Sequence, residues 1–99
     1  MVTHVVMWKV KGQSAQEKKV NSVELVSALK SLTGKIPGLI DLEAGINGPA
    51  SAAAWDVVLR TRHDSWEALD GYRVHPVHVE VAGVVGGLTI DRAVVDWED

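Results

Sequence analysis

Tyr72-Arg73-Val74-His75-Pro76-Val77-His78 is the stretch that decides how the second half of this chain folds. Proline lacks a backbone N–H and biases the residue before it away from the helical region, so a helix that reaches this stretch must end here. Pro76 itself suits the first turn of a further helix. The stretch therefore predicts a break between two helical segments, with His75 at or just before the second N-cap and His78 in the first turn.

Capping signals define the helical segment before this break. In Asp64-Ser65-Trp66-Glu67, Asp64 and Glu67 have the spacing of a capping box, in which side chains satisfy backbone amides at the helix start. Gly71 predicts that this helix is short, and His63 is predicted to lie exposed at its start. After the break, the predicted buried stripe is Val77, Val81, Val84 and Val85, and Gly86-Gly87 is predicted to end the helix.

A longer helix and four strands are predicted in the rest of the chain. Ser14 and Glu17 have capping-box spacing, and the helix is expected to reach about Thr33, with Gly34 as the left-handed residue after it. Alternation and apolar runs predict strands over residues 2–11, 39–46, 55–62 and 88–97, the second and third as a hairpin. The helix is expected to bury Leu25, Leu29, Leu32 and Ile36, joined by Val23 and Val26. The first strand is expected to bury Val2, His4, Val6, Trp8 and Val10, and the second Ile40, Leu42, Ala44 and Ile46.

The element order β-α-β-β-α-β, with the second helical region broken, predicts a ferredoxin-like α+β fold for a single domain over residues 1–99. Its four-stranded antiparallel sheet has both helical regions on one face. The other face would carry Val5, Met7, Val95 and Trp97 with nothing over them. Because 46% of the residues are hydrophobic, we expect two such faces to pack together into a homodimer, a dimeric α+β barrel.

Composition excludes several classes of function. The formal net charge of −3 provides no basic surface for nucleic acid. The chain has no cysteine, which removes disulfides and thiolate chemistry and fits a reducing compartment. No apolar run approaches the roughly 18 to 20 residues that span a bilayer. We therefore predict a soluble cytoplasmic protein that binds neither nucleic acid nor a membrane.

The seven-residue stretch also predicts a site. Near a helix N-terminus the cationic form of an imidazole is disfavoured, so His78 is suited to act as a neutral general base, and Tyr72 can donate its hydroxyl to a substrate oxygen. We predict Tyr72 and His78 as catalytic and His4, His75 and Trp8 as ligand-binding. The alternatives are a capping role for His75, a core role for His78 and a packing role for Tyr72. A third metal ligand is missing beside the two histidines, and phosphate and dinucleotide motifs are missing, so no metal and no cofactor are predicted.

Several stretches together resemble the stress-responsive A/B barrel (Dabb) family across nearly the whole chain. These are His4-Val5-Val6-Met7-Trp8-Lys9, Ile36-Pro37-Gly38-Leu39, Trp55-Asp56-Val57-Val58-Leu59, Asp64-Ser65-Trp66-Glu67-Ala68-Leu69, the Tyr72, His75-Pro76 and His78 run, and Arg92-Ala93-Val94-Val95-Asp96-Trp97. The resemblance implies a ferredoxin-like fold that dimerises through its sheets. Most members have no assigned activity.

A plant polyketide cyclase of that family is similar to this chain in the motif region. The similarity implies that Tyr72 and His78 line a pocket between sheet and helices, with His78 as base and His4 nearby. This chain departs from it at Val57, where the cyclase has a further pocket histidine. It also has His63 where the family often has phenylalanine. The same cyclisation of the same substrate is therefore not implied.

Three hypotheses for the function are considered. The first is a small homodimeric protein of unassigned activity that binds an apolar or phenolic metabolite in the pocket. The alternative is a cofactor-free enzyme of the cyclase or lyase type, with His78 as general base and Tyr72 as its partner. A cofactor-independent oxygenase is a third and weaker hypothesis, since no residue requires it.

Overall fold

The computed structural model describes residues 1–99 and has four strands and three helices. In chain order these are β1 (Val2–Val10), α1 (Ala15–Lys30), β2 (Leu39–Ile46), β3 (Val57–His63), α2 (Trp66–Val74), α3 (Pro76–Leu88) and β4 (Thr89–Glu98). The strands form one sheet in the order β2-β3-β1-β4, and every neighbouring pair is antiparallel. This is the ferredoxin-like α+β fold that the sequence predicted. None of the helices is both long and apolar enough to cross a lipid bilayer.

The central strand β1 organises the core. Its even-numbered residues point towards the helices and are buried as predicted, because side chains alternate between the two faces of a strand. Trp8 packs with Leu25 and Leu29 of α1 and with Val85 of α3 in the larger core cluster. A smaller cluster gathers Val2, Leu32, Ile36, Leu69 and Tyr72. The cavity described below lies between these two clusters and the sheet.

The start of α1 follows its capping signal. Ser14 is the N-cap, and its hydroxyl accepts from the backbone N–H of Glu17 at 3.1 Å. The helix ends at Lys30, earlier than predicted, and turns carry the chain on to Gly34, whose φ of +74° confirms the left-handed prediction. The predicted stripe of Leu25, Leu29, Leu32 and Ile36 is buried. Val23 is 53% exposed, so its assignment to that stripe was wrong.

The second helical region differs from the prediction at its start and in its middle. Ser65, and not Asp64, is the N-cap of α2, and its hydroxyl accepts from the backbone N–H of Ala68 at 3.1 Å. The helix passes through Gly71 to Val74. A glycine destabilises a helix by about 1 kcal/mol. Burial of the neighbouring Leu69 and Tyr72 stabilises this one by more than that. The break at Pro76 is confirmed, and α3 continues past Gly86-Gly87 to Leu88.

His63 and several strand residues also lie elsewhere than predicted. His63 is fully buried at the end of β3, because the strand extends one residue beyond its predicted end. In β2 the pairing register shifts between Leu39 and Asp41, which turns Ile40 outwards and Leu39 inwards. Ile46 at the end of this edge strand, and Val84 on α3, are also exposed.

The sheet face opposite the helices is open, as predicted. Val5 of β1 pairs with Val95 of β4 and with Arg60 of β3, so their side chains share this face. Val95 is 60% exposed and Trp97 is 43% exposed. The β2 side of the face is charged, since Arg60 and Arg62 form salt bridges there to acidic side chains. One half of the open face is therefore apolar and the other half is ionic.

Candidate functional site

A cavity of about 290 Å³ lies between the helix-facing side of the sheet and the three helices. Most of its lining is aliphatic, from β1, β3, α1 and α3. Its polar lining residues are His4, Tyr72, His78, Thr89 and Arg92, and Trp8 also lines it. A larger surface groove of about 810 Å³ runs along the start of α1 and shares no residue with this cavity. The histidine cavity is therefore the place where the chemically active side chains meet.

His4 is held in one orientation by a carboxylate. Antiparallel pairing of β1 with β4 places Asp96 opposite His4, and His4 Nδ1 lies 2.5 Å from Asp96 Oδ1. Because an ionised carboxylate only accepts, Nδ1 carries the proton and donates, which leaves Nε2 with a free lone pair. The second oxygen of Asp96 accepts from Arg73 Nη2 at 2.8 Å. Burial lowers the pKa of His4 and the hydrogen bond to Asp96 opposes that shift.

Tyr72 of α2 stands among three imidazole rings. Its ring centroid lies 4.4 Å from that of His78, 4.8 Å from that of His63 and 6.0 Å from that of His4. The side chain is 1% exposed, and burial raises the pKa of the phenol to about 12. Its hydroxyl forms no hydrogen bond within the chain. At neutral pH Tyr72 is therefore an O–H donor with no protein partner.

His78 owes its orientation to the break between α2 and α3. The break leaves the backbone carbonyl of Arg73 free, and His78 Nδ1 lies 3.0 Å from that oxygen. A carbonyl only accepts, so Nδ1 is the protonated nitrogen and Nε2 is the basic one. Burial lowers the pKa of His78, against the raising effect of this hydrogen bond. His78 is therefore a neutral imidazole at neutral pH.

His63 completes the group of rings without lining the cavity. Its Nε2 lies 2.8 Å from the hydroxyl oxygen of Thr61, and its Nδ1 is the one buried side-chain polar atom that has no partner. Burial, followed by the charge that His4 would carry, lowers its pKa to about 4. No other fully buried polar atom lacks a partner, and His4, Tyr72 and His78, unlike His63, line the cavity.

His75 and Trp8 occupy different kinds of position. His75 is the N-cap of α3, where its Nδ1 accepts from the backbone N–H of Val77 at 3.2 Å, and it does not line the cavity. Trp8 lines the cavity and is 5% exposed. The structure thus brings four of the five predicted site residues to one cavity and places His75 in a capping position. No group of three or more histidine and acidic side chains is arranged to hold a metal ion.

Sequence reasoning missed four residues of this neighbourhood. His63 was assigned to a helix start, and Arg73, Asp96 and Arg92 were given no role. One signal was available, because antiparallel pairing of the first and last strands brings His4 opposite Asp96. The contact of Asp96 with Arg73 had no such signal, because it depends on how α2 packs against the edge of the sheet.

The fold and the site together define the class of this protein. It is a ferredoxin-like α+β domain with an open, partly apolar sheet face and an interior cavity. Residues 2–99 match the family described as the stress-responsive A/B barrel domain (Dabb). The chain belongs to this family, as the residues that resemble it indicated.

Similar proteins share the domain over nearly its full length. The chain is 30% identical over 105 residues to the stress-response A/B barrel domain-containing protein DABB1 of Arabidopsis thaliana, with coverage of 98% of this chain and 46% of that protein. The chain thus spans about half the length of this curated relative. A dimeric protein of unknown function and ferredoxin-like fold from Bacteroides fragilis is 27% identical, has a TM-score of 0.85, and is matched over 99% of this chain and 95% of that one.

One similar solved structure is described as an enzyme, and it has the same fold as this chain. The hydroxynitrile lyase from Passiflora edulis is 17% identical, has a TM-score of 0.78, and is matched over 97% of this chain and 90% of that one. At this identity the likeness concerns the fold alone.

Proposed function

We propose that this protein binds a small, mainly apolar molecule that carries a phenolic or carbonyl oxygen. The single observation that supports this is the set of unpaired polar atoms on a mainly apolar cavity wall: the Tyr72 hydroxyl and the Nε2 atoms of His4 and His78. Polar groups in an apolar interior are normally hydrogen-bonded, and a ligand oxygen would supply a partner to these atoms. The volume of about 290 Å³ is at the small end of ligand pockets.

Calorimetric titration with 4-methylphenol tests this function. We expect one ligand per chain, and about tenfold weaker binding for Tyr72→Phe and for His78→Gln, because each change removes one hydrogen bond to the ligand. Val79→Ala is the matched control, since Val79 is on the same helix as His78, is 56% exposed and does not line the cavity. Equal binding by all four proteins, or no binding at millimolar ligand, would contradict the proposal.

A second candidate function is proton transfer next to a carbonyl, favoured by the fixed tautomer of His78. The Nε2 atom would take a proton from the carbon beside a bound carbonyl group, and the electron pair of that C–H bond would move to the carbonyl oxygen as an enolate. The O–H of Tyr72 would donate to the enolate oxygen, as donors in an oxyanion hole do. No cofactor is needed for this step.

Deuterium exchange into the methyl group of acetophenone in D₂O, followed by NMR, tests proton transfer. Wild type is expected to accelerate exchange, His78→Gln to abolish the acceleration, and Tyr72→Phe to reduce it about a hundredfold. Exchange should weaken as the pH falls through the lowered pKa of His78, because the protonated imidazole has no lone pair. If 4-methylphenol binds but deuterium exchange is not accelerated, the binding function is supported and the enzymatic function is contradicted.

We also propose that a second copy of the chain covers the open sheet face. The apolar half of that face, around Val5, Val95 and Trp97, supports this, because such a patch is unfavourable in water. The similar Bacteroides fragilis protein is described as dimeric. A two-fold pairing of the face with itself is the closed arrangement that homodimers most often use.

A further inference from the structure

Arg92 is a solvent-exposed residue of β4 that also lines the cavity, to which it brings a positive charge. In the pairing of β1 with β4 it lies opposite Trp8, so both side chains are on the helix-facing side of the sheet. Both residues line the cavity, together with the imidazoles of His4 and His78. His4 and Trp8 are four residues apart on β1, about 13 Å along the strand. Arg92 therefore enters the cavity wall beside Trp8, four strand positions from the place where Asp96 meets His4.

The guanidinium of Arg92 has no ion-pair partner within the chain. The other three arginines do, since Arg60, Arg62 and Arg73 each form salt bridges to acidic side chains. The two acidic residues nearest along β4 are engaged elsewhere. Asp91 accepts from the backbone N–H of Arg92, and Asp96 accepts from His4 and Arg73.

Arg92 is also the only lining residue with a formal charge at neutral pH. Burial is the main cause of the lowered pKa of His4 and of His78, and the charge of Arg92 acts in the same direction on both imidazoles. The same charge would attract an anion to a mainly apolar space. Arginine presents two parallel N–H donors, which match the two oxygens of a carboxylate.

We infer that the ligand of this cavity is a small carboxylic acid, whose carboxylate pairs with Arg92 while its apolar body fills the cavity. This inference rests on the proposed binding function and narrows it to one class of ligand. A hydroxyphenyl-substituted acid combines both requirements, since its phenol can pair with Tyr72 and its carboxylate with Arg92. Arg92 is then the residue that selects acids over neutral molecules of the same shape.

Two probes of the same shape test this selection by calorimetry: 4-hydroxyphenylacetate, which is charged, and 4-hydroxyphenylacetamide, which is neutral. Wild type is expected to bind the acid about tenfold more tightly than the amide, and added salt should reduce the difference. Arg92→Gln should remove the preference, so that the acid and the amide bind this variant with the same affinity. Lys35→Gln removes the same charge from an exposed loop residue and should retain the preference for the acid.

Four results would overturn the inference. These are equal binding of acid and amide by wild type, a preference that survives in Arg92→Gln, tighter binding of phenyl phosphate than of the acid in an Arg92-dependent manner, and failure of both probes to bind. Titration with 4-methylphenol distinguishes a failure of the role of Arg92 from a failure of the binding function. If it binds while the acid has no advantage, only the role of Arg92 is lost. If none of the compounds binds, the binding function itself is overturned.

Discussion

Three neutral histidines surround Tyr72 because the same physical effect acts on each. Removal from water disfavours the charged imidazole, so burial is the first cause of the lowered pKa of His4, His63 and His78. His4 and His78 each donate from Nδ1 to a fixed acceptor, which leaves both with a basic Nε2. His63 has no such acceptor at Nδ1. The site therefore depends on the protonation of residues that lie inside the fold.

His63 makes the fold sensitive to acid, and His63→Phe is expected to remove most of this sensitivity. The pKa of His63 is about 4 in the folded chain, whereas the ordinary value is 6.5. Between these values the unfolded chain binds more protons, so acid favours unfolding. The contribution of His63 to the free energy of unfolding is fully present above pH 6.5 and falls by about 3 kcal/mol by pH 4.

Urea unfolding at pH 7 and at pH 4.5, followed by circular dichroism, measures this loss in wild type and variant. Thr61 loses its hydrogen-bond partner in His63→Phe, so the double variant with Thr61→Val serves as the control for that loss. If the free energy of unfolding decreases equally from pH 7 to pH 4.5 in wild type and in both variants, His63 is not the source of the acid sensitivity.

Individual residues were predictable from sequence where a local signal existed. Tyr72 and His78 stand beside a proline that breaks a helix, so their proximity followed from the chain itself. His63 was predicted to be exposed because strand ends are poorly marked, and one additional strand residue reverses the burial of a side chain. The pairing of Arg73 with Asp96 joins α2 to the edge strand and has no local signal.

At the scale of elements, close packing decides what local rules leave open. Gly71 should weaken α2, yet the helix continues because Leu69 and Tyr72 are buried on either side of it. Ile40 should face the core by alternation, yet the register shift in β2 turns it outwards. The helix break at Pro76 was predicted correctly, since proline removes a backbone donor in every context.

Gly38, just before β2, has no room for a side chain beside α2, and we expect Gly38→Ala to destabilise the fold. Its φ is +80°, and an added Cβ would lie 2.7 Å from the Cβ of Ala68 on α2. Gly34→Ala is the matched control, because Gly34 has a similar φ of +74° with nothing near the added Cβ. Both variants bear the cost of a left-handed alanine, about 1 to 2 kcal/mol.

Thermal and urea unfolding of both glycine variants isolate the steric contribution. Gly38→Ala is expected to lose about 1 to 3 kcal/mol more than Gly34→Ala, since overpacking adds to the backbone cost. If the two variants lose the same free energy of unfolding, the contact of Gly38 with Ala68 does not limit the packing of α2 against the start of β2.

At the scale of the whole molecule, the two faces of the sheet have different roles. One face holds the core and the cavity, and the other presents apolar side chains from β1, β3 and β4 to solvent. The β-α-β-β-α-β order predicted this division, because both helical regions fall on one side of the sheet. The shape of the cavity was beyond the sequence, since it depends on how far α3 stands from β4.

Val95→Glu is expected to convert a homodimer into a monomer, because it places a charge in the middle of the apolar half of the open face. Val95 is 60% exposed in the single chain and lies beside Val5. Light scattering coupled to size exclusion measures the mass directly. Val79→Glu, a change of the same kind at a 56% exposed position on α3, should leave the dimer intact. A wild-type monomer, or equal dissociation of both variants, would contradict the proposed interface.

A crystal structure of the protein grown with saturating 4-methylphenol tests the binding function most directly. We expect ligand density in the cavity between the sheet and α3, with the phenolic oxygen within hydrogen-bond distance of Tyr72 Oη and of Nε2 of His78 or His4. If the cavity is instead closed by Trp8 and its aliphatic neighbours, or remains without ligand at saturation, the polar atoms serve the fold alone and the binding function is contradicted.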